Sequence, residues 1–253
     1  MAQRPGLNHR ISTLTQSKTV VLVTGANQGI GLEIVRKLST EHASYQILLG
    51  SRDVQAGERA AASLGALSNV NPIQLDVTSD ESIANAAKAI EQNFGKLDVL
   101  INNAGTAGRT FPKDWTPRQK WQETYNVNVV GAALLTDALA PLLEKAASPR
   151  VVFVSSVLGS MSWLLDGGGL VDVPWYNSSK SAMNMVSAYY SRKFPRWKSN
   201  ACCPGYNATN LNGEELTEEL HPRNGAINAC RLATLGEDGE TGTYSQKEGP
   251  LGW

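Results

Sequence analysis

The sequence predicts an α/β fold: one doubly wound parallel sheet with helices on both faces. Two observations carry that prediction. Short apolar runs alternate with helix-period segments along the chain, the order that yields βαβ units and a parallel sheet. The first run, Thr19–Thr24 (TVVLVT), is apolar without alternation and leads directly into a glycine-rich turn. A strand buried on both faces has the first property. A strand–turn–helix unit that holds a nucleotide has the second.

The elements follow in order. Apolar spacing over Ile30–Leu38 predicts a first helix. Tyr45–Gly50 (YQILLG) is a second strand, and the Ala-rich stretch Val54–Leu67 a second helix. Val70–Val77 is a third strand. Ser79–Phe94 is a third helix with Ser79 as its N-cap, since a serine hydroxyl satisfies a free first-turn N–H. Leu97–Asn102 (LDVLIN) is a fourth strand, and a long helical pattern runs from Pro117 to Lys145. Arg150–Ser155 is a fifth strand, Trp175–Phe194 a helix, Lys198–Cys203 a sixth strand and Gly242–Ser245 a short last strand. Two irregular stretches remain, 158–174 with its Gly167-Gly168-Gly169 triplet and the polar, acidic 206–224. Both follow strands, where open α/β sheets place ligand-binding loops. Residues 1–17 read as a polar tail before a single domain over 18–253.

Composition narrows the function classes. Lys plus Arg is 23 and Asp plus Glu is 23, so the net charge is zero. Such a chain has no global field for nucleic acid or an anionic membrane, and neither is expected as a partner. No apolar run approaches the roughly 18 residues of a membrane span. The cysteines are Cys202, Cys203 and Cys230, an odd number with two adjacent, which argues against a disulfide framework. A reducing, cytoplasmic compartment fits that usage. The histidines His9, His42 and His221 are scattered, so no metal site is expected.

Two constellations carry chemistry. Gly25, Gly29 and Gly31 give G-x-x-x-G-x-G after the first strand. Such a turn lets backbone N–H groups approach a pyrophosphate at a helix N-terminus; the alternative is a turn that only needs left-handed backbone. At the other end, Tyr176 and Lys180 are spaced to share one helical face. A nearby ammonium favours phenolate and lowers a phenol's pKa, which prepares a tyrosine for proton transfer. The alternative is a surface pair formed by chance.

The end of the second strand bears on which dinucleotide is bound. An acidic residue there would hold a ribose 2′-hydroxyl and repel a 2′-phosphate. This chain reads Ser51-Arg52-Asp53. Ser51 leaves the acid's place neutral, Arg52 suits a phosphate, and Asp53 fits the cap of the next helix. The combination favours NADPH. The alternative keeps Arg52 solvated and makes Asp53 the ribose ligand.

Taken together, Thr24-Gly25 through Gly31, Asp76-Val77, Asn102-Asn103-Ala104-Gly105, Asn128, Ser156, Tyr176, Lys180 and Pro204-Gly205 resemble the short-chain dehydrogenase/reductase superfamily. The likeness runs over nearly the whole chain after residue 18. It is closest to NADPH-dependent carbonyl reductases, through VTGANQGIG and the Ser51-Arg52 pair. The resemblance implies a Rossmann arrangement and residue roles. The turn from Gly25 to Gly31, with Asn27, Gln28 and Ile30, would hold the cofactor together with Ser51 and Arg52. Asp76 and Val77 would contact the adenine. Asn103, Ala104 and Gly105 would line the cofactor groove. Pro204, Gly205 and Thr209 would position the nicotinamide. Asn128 would support a water-linked proton relay to Lys180, which would also hold the nicotinamide ribose beside Tyr176. Ser156 would bind the substrate carbonyl, with Ser155 as the alternative hydroxyl.

Ser156 and Tyr176 are 20 positions apart, further than is common in the family. The extra length lies in 158–174, read as an enlarged wall of the substrate pocket with Trp163, Asp166 and Trp175; Tyr206 joins it from the second loop. The alternative is a surface hairpin with Trp163 packed beneath it and Asp166 solvated. The expected activity is NADPH-dependent reduction of a ketone or aldehyde in a medium-to-large apolar substrate. Reduction of C=N or a cyclisation on the same scaffold is the second reading, and a non-catalytic NADP-binding sensor the third. The resemblance implies assembly into a homo-oligomer through the helices at 117–145 and 175–194; the alternative is a monomer, the state of some relatives with longer insertions before the tyrosine.

Overall fold

A computed structural model describes residues 18–253 except Ala66. The tail expected over 1–17 lies outside the described residues. The strands are β1 Thr19–Val23, β2 Tyr45–Ser51, β3 Val70–Gln74, β4 Val99–Asn102, β5 Arg150–Val154, β6 Lys198–Cys202, β7 Tyr244–Gln246 and β8 Gly249–Pro250. They form one sheet in the order β3-β2-β1-β4-β5-β6-β7-β8. All neighbours are parallel except β7 and β8, which fold back antiparallel. Strand order reverses between β1 and β4, and ligands bind at such a switch point.

The helices are α1 Gly29–Glu41, α2 Val54–Ser63, α3 Asp80–Phe94, α4 Pro117–Tyr125, α5 Ala132–Leu143, α6 Met161–Leu165, α7 Pro174–Lys193 and α8 Pro222–Ala233. Alternation along β1 sends Val21 and Val23 to one face and Val20 and Leu22 to the other. The first face packs on Ile34 and Leu38 of α1 and on Ala226 and Ala229 of α8. The second packs on Ile90 of α3, Leu135 and Leu139 of α5, and Met183 and Tyr190 of α7. The predicted doubly wound layers are therefore present.

Several boundaries differ from the sequence expectation. The third strand ends at Gln74 because Ser82 and Thr78 take up the hydrogen bonds around Asp76. The helix expected over 117–145 is interrupted by one π-helical turn, Asn126–Gly131. The 206–224 stretch is irregular only to His221, whose side chain caps α8. The stretch 158–174 is not wholly a loop, since it holds most of a 3₁₀ turn, Val157–Gly159, and then α6. Against the expectation for apolar runs, Pro117–Leu143 contains an 18-residue window of mean hydropathy 1.4, which matches a membrane span in length and composition. Its α5 portion buries Leu135, Leu139 and Leu142 in the second core, which accounts for the apolar character.

Candidate active site

The glycine turn sits at the carboxyl end of β1, on the switch point. Gly25 and Gly29 have positive φ (60° and 56°), which glycine adopts without strain. Gly31 answers a different need, close packing. A Cβ there would lie 2.5 Å from Asn103 Nδ2 and 2.7 Å from the Gly25 carbonyl oxygen. Asn103 amide N–H groups donate to the Thr24 and Gly25 carbonyls at 2.8 and 3.2 Å, and the Thr24 hydroxyl accepts from the Asn103 and Ala104 backbones at 2.9 Å. The Asn103-Ala104 segment therefore braces the turn from β4. Gln28, the N-cap of α1, makes no capping bond. First-turn N–H groups lacking a side-chain cap are an anion site.

At the end of β2, Ser51 is buried and its hydroxyl donates to the Asp53 carbonyl at 2.7 Å. Asp53 caps α2, accepting from Ala56 N at 2.8 Å, as the sequence suggested. Arg52 is exposed. After β3, Asp76 accepts from the Thr78 backbone and hydroxyl at 2.9 and 2.7 Å. Val77 is buried, and its carbonyl presses on Gly131 so closely that no Cβ would fit.

The remaining groups gather at the ends of β4 and β5 and on α7. Tyr176 and Lys180 are both buried, at 8% and 3% exposure. Lys180 Nζ donates to the Val154 carbonyl at 2.8 Å and stands 5.7 Å from the Tyr176 ring centre. A Cβ on Gly105 would be 3.5 Å from Lys180 Nζ and 3.3 Å from Asn128 Oδ1, so a side chain there would crowd the groove floor. Asn128 lies on the π turn, a feature frequent at functional sites. Its amide is satisfied by both backbone groups of Thr106 and by Ser179 Oγ, at 2.8 to 2.9 Å. It thus ties β4's loop to the residue before Lys180. Ser155 points inward, donating to the Lys180 carbonyl at 3.4 Å. Ser156, half-buried, accepts from Leu158 N at 3.3 Å, and its side chain has a lowering influence on the Tyr176 phenol.

Electrostatics here correct the sequence expectation. Burial pushes the Tyr176 phenol up to about 12, against the lowering effect of Ser156. Burial also pulls the Lys180 ammonium down to about 8, its largest influence. Desolvation, which disfavours each charged form, is the largest influence on both groups.

The loops distribute the other candidates. Pro204 and Gly205 follow β6, where Asn207 donates to both carbonyls at 2.9 and 3.0 Å. Thr209 reaches the glycine turn: a Cβ on Gly29 would be 3.5 Å from its methyl. Sequence reasoning missed two clasps beside it. Asn210 donates to Gln28 Oε1 at 2.6 Å, and Arg109 donates to the Asn212 carbonyl at 2.8 Å. Polar residues in loops carry no sequence signal for such pairings. Tyr206 is exposed and donates to Glu214 at 2.6 Å. Trp175 donates its indole N–H to the Ala107 carbonyl at 3.0 Å, which anchors the loop after β4. Trp163 and Asp166 line a depression of about 420 Å³ together with Gly167, Gly168 and Pro250–Gly252. Trp163 packs against Gly168, and neither Ser156 nor Tyr176 is part of that lining.

Comparison with known proteins agrees with this arrangement. The short chain dehydrogenase family pattern matches residues 19–220. A short-chain dehydrogenase/reductase of Stachybotrys chlorohalonatus is 37% identical over 92% of this chain and 90% of its own length. Salutaridine reductase of Papaver somniferum is 29% identical over 92% of this chain and 95% of its own. Its solved structure superposes with a TM-score of 0.77, covering 90% of this chain and 99% of that one. NADPH-bound carbonyl reductase from chicken fatty liver superposes at 0.80 with 27% identity, over 93% and 99% of the two chains. With the glycine turn at the switch point and Tyr176 and Lys180 on α7, this chain belongs to the short-chain dehydrogenase/reductase family of nicotinamide-dependent oxidoreductases.

Proposed function

We propose that this chain is an NADPH-dependent reductase of a ketone or aldehyde carried on a medium-to-large apolar substrate. The observation that carries the proposal is a buried Tyr176 that keeps its proton at neutral pH beside the Ser156 hydroxyl. A protonated phenol is an acid, which suits it to complete a reduction.

The residues fit the cofactor. The glycine turn approaches without Cβ atoms, and the α1 N-terminus has no side-chain cap, so both accept a pyrophosphate. Asp53 is engaged as a helix cap, which leaves the exposed Arg52 as the charged group for a 2′-phosphate. When bound, NADPH supplies the hydride. This chain does the rest. Ser156 Oγ donates to the carbonyl oxygen, and such a donor can contribute roughly 3 kcal/mol. The Tyr176 hydroxyl gives its proton to the oxygen as negative charge develops there. Lys180, held by the Val154 carbonyl, keeps a positive charge under the phenol and stabilises the phenolate left behind. Asn128 holds the loop after β4 against α7, which keeps Lys180 in register.

Exposed apolar side chains on the flanking segments support an apolar substrate: Met161, Leu164, Leu165, Leu170 and Val171 before α7, and Tyr206 after β6. A C=N substrate would need the same acid. Asp166 lines the depression beside Trp163.

Turnover of a ketone and cyclic-imine panel with NADPH and NADH tests the proposal, alongside Tyr176→Phe. The variant is expected to bind NADPH as wild type does and to lose at least about a hundredfold in kcat. Retained turnover refutes the role of Tyr176. Cofactor binding without turnover on any substrate supports a sensor instead.

A further inference from the structure

Ser156 stands at the end of β5 on a single 3₁₀ turn, a short element with little to hold it. Yet the peptide unit that follows it is gripped at both ends. Its carbonyl oxygen accepts from the Tyr244 hydroxyl at 2.5 Å as well as from Gly159 N at 2.8 Å. Its N–H, that of Val157, donates to Cys203 Sγ at 3.2 Å. Both gripping residues come from the neighbouring strands on one side of β5. Cys203 directly follows β6, Tyr244 begins β7, and the two strands pair with Ala201 opposite Tyr244. Tyr244, Cys203 and Ala201 form a small buried cluster of their own, with Val157 packed on it.

Tyr244 is itself held. Trp253 stacks on its ring, with centres 5.5 Å apart and planes at 29°. The stretch carrying Trp253 is fastened beside the same turn. Ser160 Oγ donates to the Gly252 carbonyl at 2.7 Å, and Ser162 N donates to the Trp253 carbonyl at 3.0 Å. Ser181 Oγ donates to the Gly159 carbonyl at 2.8 Å, tying the turn to α7 one residue after Lys180.

We propose that Tyr244 is a positioning residue for Ser156: its hydroxyl, braced by Trp253, sets the peptide plane that aims the Ser156 Oγ at the substrate oxygen. This rests on the reading of Ser156 as the carbonyl donor. A hydrogen-bond donor in a reductase acts only when it meets the oxygen at close to 3 Å, so its aim matters as much as its presence. A fixed peptide plane takes away the freedom of the serine backbone on that side. The sequence carries no signal for the pairing, because Ser156 and Tyr244 are 88 positions apart.

The test is a double-mutant cycle. Tyr244→Phe removes only the hydroxyl and keeps the stacked ring. It should lower kcat/KM for ketone reduction roughly tenfold, the scale of one hydrogen bond. The Kd for NADPH should stay within about twofold of wild type, which also reports that the protein is folded. In a Ser156→Ala background the same substitution should change turnover by less than about twofold, since the group it aims is gone. Trp253→Leu should show the same pattern with a smaller loss. Equal losses in both backgrounds, a parallel rise in the NADPH Kd, or no loss in Tyr244→Phe would overturn the proposal while leaving the role of Ser156 intact. Full turnover in Ser156→Ala alone would overturn the reading of the site, and this proposal with it.

Discussion

Gly31→Ala adds one methyl at the tightest point of the nucleotide turn. The new carbon would meet Asn103 Nδ2 at 2.5 Å, the Gly25 carbonyl oxygen at 2.7 Å and Ala26 Cα at 2.9 Å. Two of these are backbone atoms, so the side chain of Asn103 must move and the turn must open. Overpacking of this kind costs about 1–3 kcal/mol. Displacing the Asn103 amide also removes its two bonds to the Thr24 and Gly25 carbonyls, each contributing about 1 kcal/mol. The sum is roughly 3–5 kcal/mol, a fall in Tm of about 6–20 °C for a domain of this size. NADPH affinity should fall as well, because the backbone N–H groups leave their aim. Thermal melting and fluorescence titration of NADPH measure both. Gly169→Ala is the control: nothing lies within 4 Å of a Cβ there and its φ is ordinary, so it should melt with wild type. A Gly31→Ala protein that matches wild type in Tm and in NADPH Kd would refute the account of the turn.

The remaining predictions concern charge. Arg52→Ala should weaken NADPH binding about tenfold or more and leave NADH binding nearly unchanged, since only the 2′-phosphate is lost as a partner; equal loss for both cofactors would place Arg52 outside that contact. Lys180 is charged below about pH 8 and neutral above it, whereas Tyr176 keeps its proton to about 12. The kcat/KM for reduction should therefore hold from neutral pH to about 8 and decline above it. A profile flat to pH 10 would show that the Lys180 charge is not needed.

Much of this protein was legible because it is written in local or periodic terms. Each strand from β1 to β7 has a run of residues that marks it. Ser79 and Asp53 do cap their helices, accepting from Ser82 N and Ala56 N. These are bonds between neighbours in the chain, so spacing alone specifies them. α8 was not legible. Its sequence, PRNGAINACRLA, contains Asn and Gly, poor helix formers. Packing overrides propensity there. Gly225 lets the helix close on Asn207, whose amide would be 2.8 Å from a Cβ, while Ala226 and Ala229 seat on the first core. The π turn was hidden for a related reason. It inserts one residue into a helix period without changing composition, and its Gly131 is demanded by the Val77 carbonyl from the distant loop after β3.

The sequence by itself determined the strand order's raw material, the glycine turn and the shared helical face of Tyr176 and Lys180, because backbone geometry links residues a few positions apart to one turn or one face. Only the tertiary structure decided the sign of the Tyr176 shift. Spacing supplies the neighbouring ammonium, but the burial that raises the phenol's pKa comes from the rest of the fold. The same holds for the partners of Ser156. Cys203 and Tyr244 reach it because β6 lies beside β5 and β7 beside β6 in the sheet, an order that no interval in the chain encodes.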